Sequence, residues 1–172
     1  MSLAYFITFS TYGTWLHGTD KGMGSVDDKH NKHGTPYLPR DIAREIEERG
    51  SLLQAPFVMG APERDIVRDS ILELAEENCW RVWAVHVRSN HVHVVIRADR
   101  EPGRLMSDLK ARASRNLTLA GLGTGDRRRW TRHGSTLHLF DAVKVEEKID
   151  YTLNRQGNLM SVYDGTKEPR TQ

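Results

Sequence analysis

The stretch from Cys79 to Ala98, CWRVWAVHVRSNHVHVVIRA, decides the fold of this 172-residue chain. It contains two apolar runs rich in β-branched residues, Arg81 to Val87 and His91 to Arg97, separated by the polar residues 88–90 (RSN). Two such runs around a short polar segment are typical of an antiparallel hairpin. We therefore predict two neighbouring strands that turn at residues 88–90.

The second of these strands carries two histidines on one face. Because successive side chains of a strand point to opposite faces, His91 and His93 lie together, whereas Val92, Val94 and Ile96 share the other face. Neutral imidazole is the commonest metal-ligating side chain, so the pair predicts a metal site. The alternative interpretation is that the alternation is only the polar face of a half-exposed strand.

The other histidines give weaker signals. His86 lies in the first arm of the hairpin, and we predict a structural or supporting role for it. His17, His30 and His33 fall in a long loop at residues 16–39, which has neither helical nor strand periodicity, and their spacing matches no metal site. A loop of this length in a compact domain is usually functional, and these residues are candidates for contact with substrate.

Length and composition bound the class of protein. A chain of 172 residues is long enough for one domain with a core, which we place at residues 1–160, followed by a polar tail at 161–172 that is expected to fray. The single cysteine, Cys79, excludes an internal disulfide and a cysteine-based zinc cluster. With neither a signal-peptide pattern nor an apolar run of membrane-spanning length, we expect a cytoplasmic protein with no membrane partner.

Positive charge is concentrated in one segment. Residues 104–133 contain eight lysines and arginines and two aspartates, a net charge of +6, whereas the whole chain carries +2. A basic segment in an otherwise acidic chain indicates a polyanionic partner, most often nucleic acid, although a solvated surface loop is the alternative. Trp130 lies among arginines, a combination that suits single-stranded nucleic acid because a base can stack on the ring. The alternative is that Trp130 is a buried anchor of its strand. The candidate DNA-binding residues are Lys110, Arg112, Arg115, Arg127, Arg128, Arg129, Trp130 and Arg132.

The remaining periodic segments predict four helices and two further strands. Aromatic and β-branched residues predict a central strand that starts at Ala4 and ends near Gly13, and STLHLF at 135–140 predicts the last strand. The helices are predicted at residues 40–53, 63–78, 104–119 and 141–155.

The final helix displays a tyrosine. Val145, Ile149 and Leu153 are spaced by four and define its predicted core stripe. At about 100° per residue, Tyr151 falls roughly 200° from the centre of that stripe. The sequence therefore predicts that the Tyr151 hydroxyl is exposed.

Several motifs in this order closely resemble the single-tyrosine HUH transposases, including relatives associated with repetitive extragenic palindromes. The resemblance covers most of residues 4–157. Its motifs are FITFSTYGTW at 6–15, SNHVHVVI at 89–96, SDLKARASRNL at 107–117, WTRHGSTLHLF at 130–140 and IDYTLNRQG at 149–157. The His-hydrophobe-His motif together with a downstream helical tyrosine is more specific than either feature alone.

The resemblance implies an α+β fold of the HUH endonuclease type, a ferredoxin-like antiparallel sheet with helices packed on it. It implies that His91 and His93 hold Mg²⁺ or Mn²⁺ and that Tyr151 is the catalytic nucleophile. The implied activity is DNA transposition, in which single-stranded DNA with hairpin or palindromic ends is cleaved and transferred through a 5′-phosphotyrosine intermediate. Relatives that act as a homodimer and relatives that act alone are both known, and the sequence favours neither.

One position departs from the family pattern. Relatives carry Gln or Asn four residues after the tyrosine as the third metal ligand, but Arg155 stands there in this chain. Gln156 is the favoured substitute, and Asn154 is the alternative. The departure also motivates a second hypothesis, a domesticated DNA- or hairpin-binding protein of the same fold without transposition activity. A third hypothesis is an unrelated metal hydrolase that does not need Tyr151.

Overall fold

The computed structural model describes residues 2–14 and 42–167, and both the predicted loop at 16–39 and its histidines lie outside the described residues. The described strands are β1 (Ala4–Ser10), β2 (Arg81–Val87), β3 (His91–Arg97), β4 (Ser135–Leu139) and β5 (Ser161–Asp164). The described helices are α1 (Ile42–Gly50), α2 (Ala61–Glu77), α3 (Pro102–Leu119) and α4 (Ala142–Asn154).

The five strands form one antiparallel sheet in the order β4-β1-β3-β2-β5. Strands β1 to β4 with helices α2 and α3 follow the β-α-β-β-α-β succession of the ferredoxin-like fold. The α+β fold predicted from the sequence is thus confirmed. Strand β1 is an inner strand, between β4 and β3, and the central strand of the five is β3. The predicted hairpin is confirmed residue for residue, and it is closed by a 2.9 Å hydrogen bond from the Arg88 N–H to the His91 carbonyl.

The two faces of the sheet bury two apolar clusters. Helices α2 and α3 cover one face, where Val92, Val94 and Ile96 of β3 are fully buried. Helix α4 covers the other face, where Phe6 and Val95 pack beneath it. This arrangement follows from the strand alternation, and it places the two histidines of β3 under α4.

The chain after α4 differs from the expectation that it frays. Residues Ser161–Asp164 form β5, which pairs with β2 from Ala84 to Val87. Gly157 has φ of +72°, a backbone conformation that costs glycine little, and it lies in the connection that leads back to the sheet. The prediction of a frayed tail from Ser161 onward is therefore wrong for the first four residues.

None of the helices in the described part of the chain is both long enough and apolar enough to span a lipid bilayer.

Candidate active site

The site is built where the middle of the sheet meets the C-terminal end of α4. His93 is opposite Thr8 of β1 and opposite His86 of β2, and His91 is opposite Ser10 at the end of β1. The ring centroids of His91 and His93 are 4.8 Å apart. The predicted pair of adjacent imidazoles on one face is thus present.

Tyr151 packs on this pair from the helix above. Its ring is edge-on to the ring of His93, with 5.7 Å between centroids, and edge-on to the ring of Phe6, at 5.9 Å. The side chain is half-buried, and Thr152 rather than Leu153 is the fully buried residue of this turn. The helical-wheel prediction was therefore wrong about the direction of Tyr151, which faces the sheet and the histidines instead of solvent.

Hydrogen bonds orient both imidazoles. The Nδ1 atom of His93 is 2.9 Å from the Thr8 hydroxyl oxygen, and the Nδ1 atom of His91 is 2.7 Å from the Asn90 side-chain oxygen. With a proton on each Nδ1, each Nε2 atom carries a lone pair. An oxygen partner on one ring nitrogen is the usual arrangement for a histidine that binds a metal through the other.

The Nε2 atom of His93 is buried, and none of the described residues offers it a hydrogen bond. Such orphaned polar atoms are rare in folded proteins and call for an explanation. Burial, aided by the charge of His91, lowers the pKa of His93 to about 3, and burial likewise lowers the pKa of His91. Both imidazoles are therefore neutral at pH 7, the form that can donate a lone pair to a cation.

Gln156 approaches both histidines. The side chain of Gln156 opposes the lowering of both histidine pKa values, which indicates that its amide lies near the two rings, although it does not reach hydrogen-bond geometry with Nε2 of His93. Its side-chain amide nitrogen donates to the Tyr151 backbone carbonyl at 3.3 Å, and its backbone carbonyl accepts from the Arg88 guanidinium. Because α4 ends at Asn154, Gln156 is free of the helical geometry that would have turned it toward the core stripe.

Asn154 points elsewhere. It is exposed, and its amide nitrogen donates to the Asp150 carboxylate at 2.8 Å. Within residues 2–14 and 42–167, no group of three or more His, Cys, Asp or Glu side chains is arranged to hold a metal. The donor set that the structure brings together is thus two imidazoles and one amide.

His86 fixes α4 to the sheet. Its Nε2 atom accepts from the Met160 N–H at 3.3 Å, so Nδ1 carries the proton and donates to the Thr152 carbonyl at 3.0 Å. The residue is fully buried, and this burial lowers its pKa. A neutral His86 joins the turn after Tyr151 to the segment that leads into β5, which agrees with the supporting role predicted for it.

Lys148 was missed by the sequence analysis. Its Nζ atom lies 4.9 Å from the centroid of the Phe6 ring and 5.2 Å from that of the Tyr151 ring. Lys148 is three residues before Tyr151, and residues three apart in a helix share a face. This spacing could have predicted that the lysine lies beside the tyrosine. The lysine brings a positive charge to the tyrosine and the two neutral histidines.

The candidate DNA-binding residues occupy several environments. Arg129 is buried, and its guanidinium donates to Thr118 and to the Leu122 carbonyl. The Trp130 indole N–H donates to the Lys110 carbonyl at 3.0 Å and to the Ser114 hydroxyl at 2.8 Å, and its ring packs edge-on against Phe9. The structure therefore makes these two residues anchors of their loop, and the stacking role expected for Trp130 does not fit its position.

The other candidates divide into paired and exposed groups. Lys110 is half-buried and donates to the carbonyls of Thr131 and His133, and Arg112 pairs with Glu77 of α2. Helix α3 lies on the sheet face opposite the histidines, so its basic residues do not border the site. The Arg127 guanidinium is also paired, since it donates to the Gln54 side-chain oxygen and to the Pro56 carbonyl. The candidates with exposed side chains are Arg115, Arg128 and Arg132.

The loop at residues 127–132 lies at the end of the sheet that carries His91. The Thr131 N–H donates to the Ser10 carbonyl at 3.0 Å, and Ser10 is opposite His91. The Arg128 guanidinium lies over the Tyr12 ring, 5.9 Å from its centroid. Part of the basic segment thus borders the histidine pair through its loop rather than through α3.

Fold and site together define a ferredoxin-like α+β domain in which two strand-borne histidines lie beneath a helix-borne tyrosine. No model of a known protein family and no curated protein matches the sequence.

Among solved structures, the chain is similar to a REP-associated tyrosine transposase bound to a REP hairpin. The TM-score is 0.50 at 10% sequence identity, and the match covers 88% of this chain and 65% of the other. The chain thus spans less than two thirds of the length of that transposase. At this identity the likeness shows the fold.

Proposed function

We propose that the chain is a metal-dependent single-strand DNA endonuclease and strand transferase that serves DNA transposition. The observation that carries the proposal is that Tyr151 packs on the His91 and His93 pair, in which the buried Nε2 of His93 lacks a hydrogen-bond partner among the described residues. The similarity in fold to a tyrosine transposase bound to a hairpin supports the same function.

The residues present fit a divalent metal. His91 and His93 would bind it through Nε2, and the side-chain oxygen of Gln156 would complete the protein's ligand set. When bound, Mg²⁺ or Mn²⁺ supplies Lewis-acid chemistry, which polarises a phosphate and stabilises a departing oxygen. Asn154 is the less suitable third ligand because Asp150 already holds its amide.

Tyr151 would act as the nucleophile. In the proposed step its phenolic oxygen forms a bond to the scissile phosphorus, the bond from phosphorus to the 3′ oxygen breaks, and the phenolic proton passes through solvent to that oxygen. The products are a 5′-phosphotyrosine and a free 3′-hydroxyl. Because one phosphodiester has been exchanged for another, a second 3′-hydroxyl can reverse the step and rejoin the strand without ATP.

Lys148 would stabilise the charge that develops beside Tyr151. A cation over the phenol ring favours the phenolate that attacks, and its ammonium group can also attract the scissile phosphate. Since His91 and His93 are neutral, Lys148 is a candidate for the main positive charge that the protein itself brings to the reacting groups.

The DNA partner is proposed to be a single strand with hairpin or palindromic ends. Exposed guanidinium groups suit its phosphates because they form strong hydrogen bonds with phosphate oxygens. The exposed Arg128 and Arg132 lie in the loop that borders the His91 end of the sheet, which makes them better candidates than Arg112 and Arg127. The guanidinium of Arg112 pairs with Glu77, and that of Arg127 donates to Gln54 and to the Pro56 carbonyl. The buried Arg129 is omitted from the proposed surface.

A covalent-capture experiment tests the proposal. The protein is mixed with Mn²⁺ and a labelled pool of hairpin oligonucleotides that carry randomised single-stranded arms, and adducts are resolved on a denaturing gel. We expect an adduct that requires both the metal and Tyr151, so that it disappears in Tyr151→Phe and persists in Tyr5→Phe, a control on the other face of the sheet.

Two other outcomes would contradict the proposal. Selective retention of hairpins without any adduct would favour a DNA-binding protein that lacks transposition activity. Cleavage that continues at the same rate in Tyr151→Phe would favour a metal hydrolase in which the tyrosine takes no part.

A further inference from the structure

A cavity lies on the same face of the sheet as the histidines, toward the opposite end of the sheet. It has a volume of about 390 Å³ and lies between the N-terminal half of α4 and the strands beneath. Its lining residues are Leu3, Arg81, Trp83, Arg97, Ala142, Val145, Glu146, Ile149 and Thr166. The volume is within the range of small-molecule sites, which is about 300–1,000 Å³.

The chemistry of the cavity combines an aromatic surface with two guanidinium groups. Arg81 and Arg97 are directly opposite each other on β2 and β3. The ladder shifts register between Val82 and Ala84, so Trp83 lies in an irregularity of β2, and its half-buried ring packs against the apolar cluster under α4. A side-chain ring beside two positive charges suits a planar, anionic ligand.

The two arginines differ in their partners. The Arg81 guanidinium donates to the Gly165 carbonyl at 2.7 Å, which anchors it against the chain that follows β5. Arg97 is exposed, and it has no ion-pair partner within the part of the chain that the structure describes. Arg97 can therefore bind an anion without first breaking a described ion pair.

We infer that this cavity binds one unpaired nucleotide of the DNA strand, with its base on Trp83 and its phosphate at Arg97 and Arg81. The inference rests on the proposed function, because it assigns the cavity to the same substrate. Base stacking on an aromatic side chain, combined with positive charge along the backbone, is how single strands are generally held. The Glu146 carboxylate in the lining accepts hydrogen bonds, so it favours a base that presents ring or amino N–H groups.

The position of the cavity relative to the histidines supports a continuous path for the strand. Arg97 is four residues beyond His93 on β3, which is about 13 Å at the rise of a strand. Both positions are under the same helix, since Val145 and Ile149 line the cavity and Tyr151 lies at the histidines. A DNA strand cleaved at Tyr151 can thus place in the cavity a nucleotide that is a few positions away from the scissile phosphate.

Photocrosslinking of the full chain tests the inference. The probe is a single-stranded 12-mer of mixed sequence that contains 5-iododeoxyuridine, and the same sequence annealed to its complement is the control ligand. Mass spectrometry of the crosslinked peptides is expected to show Trp83 as an attachment site with the single strand. With the duplex, whose bases are stacked and paired, this attachment should be lost.

Binding measurements use matched charge changes. We expect Arg97→Gln to weaken binding of the single-stranded probe about tenfold, the size expected for the loss of one charge-assisted contact to a phosphate. Arg104→Gln, an exposed residue of α3 on the other face of the sheet, should leave the affinity unchanged. Trp83→Phe keeps an aromatic ring, so it should weaken binding less than Arg97→Gln. The circular dichroism spectrum of this variant shows whether it is folded.

The outcomes separate this inference from the proposed function. If Tyr151-dependent adducts form but no crosslink reaches Trp83 and Arg97→Gln binds like Arg104→Gln, the cavity assignment is wrong and the function stands. If Trp83 is crosslinked and Arg97→Gln weakens binding while no adduct ever forms, the cavity assignment stands and the proposed catalysis fails.

Discussion

The rings of His93 and Tyr151 meet nearly at right angles, with 5.7 Å between their centroids and 82° between their planes. The two residues belong to a central strand and to the helix that covers it, so their separation is set by packing of the sheet rather than by local sequence. A change at either residue, or at the groups that orient them, should alter metal binding and strand cleavage more than it alters the fold.

Gln156 and Asn154 provide a matched test of the third ligand. We expect Gln156→Ala to weaken Mn²⁺ binding by at least about tenfold, since it removes a ligand oxygen, and Asn154→Ala to leave it unchanged. Isothermal titration calorimetry of the two variants measures this directly. The opposite ranking would assign the ligand to Asn154 and would require Asp150 to release its amide.

Thr8→Val removes the hydroxyl that orients His93 and nearly preserves volume. We expect Mn²⁺ affinity to fall about 10–100-fold, the usual effect of losing a group that supports a metal ligand. Ser10→Ala, two positions along the same strand face, serves as the control. Equal affinity of Thr8→Val and the parent chain would show that the 2.9 Å contact with His93 has no role in the metal site.

Lys148→Gln removes the charge over Tyr151 and keeps a side chain of similar length. The rate of adduct formation at saturating DNA should fall by about tenfold or more, while Mn²⁺ affinity should stay the same, because Lys148 is not among the proposed ligands. Lys144→Gln, one turn earlier and paired with Glu147, is the matched control. A loss of metal binding alone would contradict the role proposed for the charge.

Buried neutral histidines predict a loss of stability in acid. The pKa values of His86, His91 and His93 are all lowered by burial, so below about pH 6.5 the unfolded chain binds protons that the folded chain does not. Stability must therefore fall as the pH drops. For His93, whose pKa is about 3, the loss between pH 7.5 and 5.5 is about 1.4 kcal/mol.

Urea unfolding in the presence of a chelator at the two pH values measures this loss. His93→Gln should be less stable at pH 7.5, but its stability should decline less in acid, by about the contribution of that one histidine. His133→Gln, at an exposed position, should decline like the parent chain. An equal decline in all three proteins would mean that His93 does not stay neutral in the folded state.

Much of the fold could be predicted because the alternation of apolar and polar residues marks the strands in the sequence. In the hairpin, one face of β3 is apolar with a period of two, and the predicted boundaries of β2 and β3 agree with the structure. Strand β5 was missed because SVYD is only four residues long and largely polar, and its pairing depends on an edge that β2 offers only in the folded sheet. A local pattern does not encode such a partner.

The site was predicted less completely, for two physical reasons. Helical periodicity identifies an apolar stripe but not how the helix is rotated on a sheet, and here α4 turns Thr152 inward and Tyr151 onto His93. The contact between Thr8 and His93 depends on strand register, which the sequence alone did not fix. Arg129 and Trp130 were assigned to DNA by composition, whereas burial decided their role.

Helix α4 is tied to one sheet at both ends. The helix starts shortly after β4, and the chain that follows it forms β5. His86 of β2 donates a hydrogen bond to the Thr152 carbonyl, next to Tyr151. Exchanging this helix with a neighbouring copy would require peeling β5 from β2. The proposed nucleophile therefore lies at the histidines of its own polypeptide, and we expect each subunit of any assembly to act in cis.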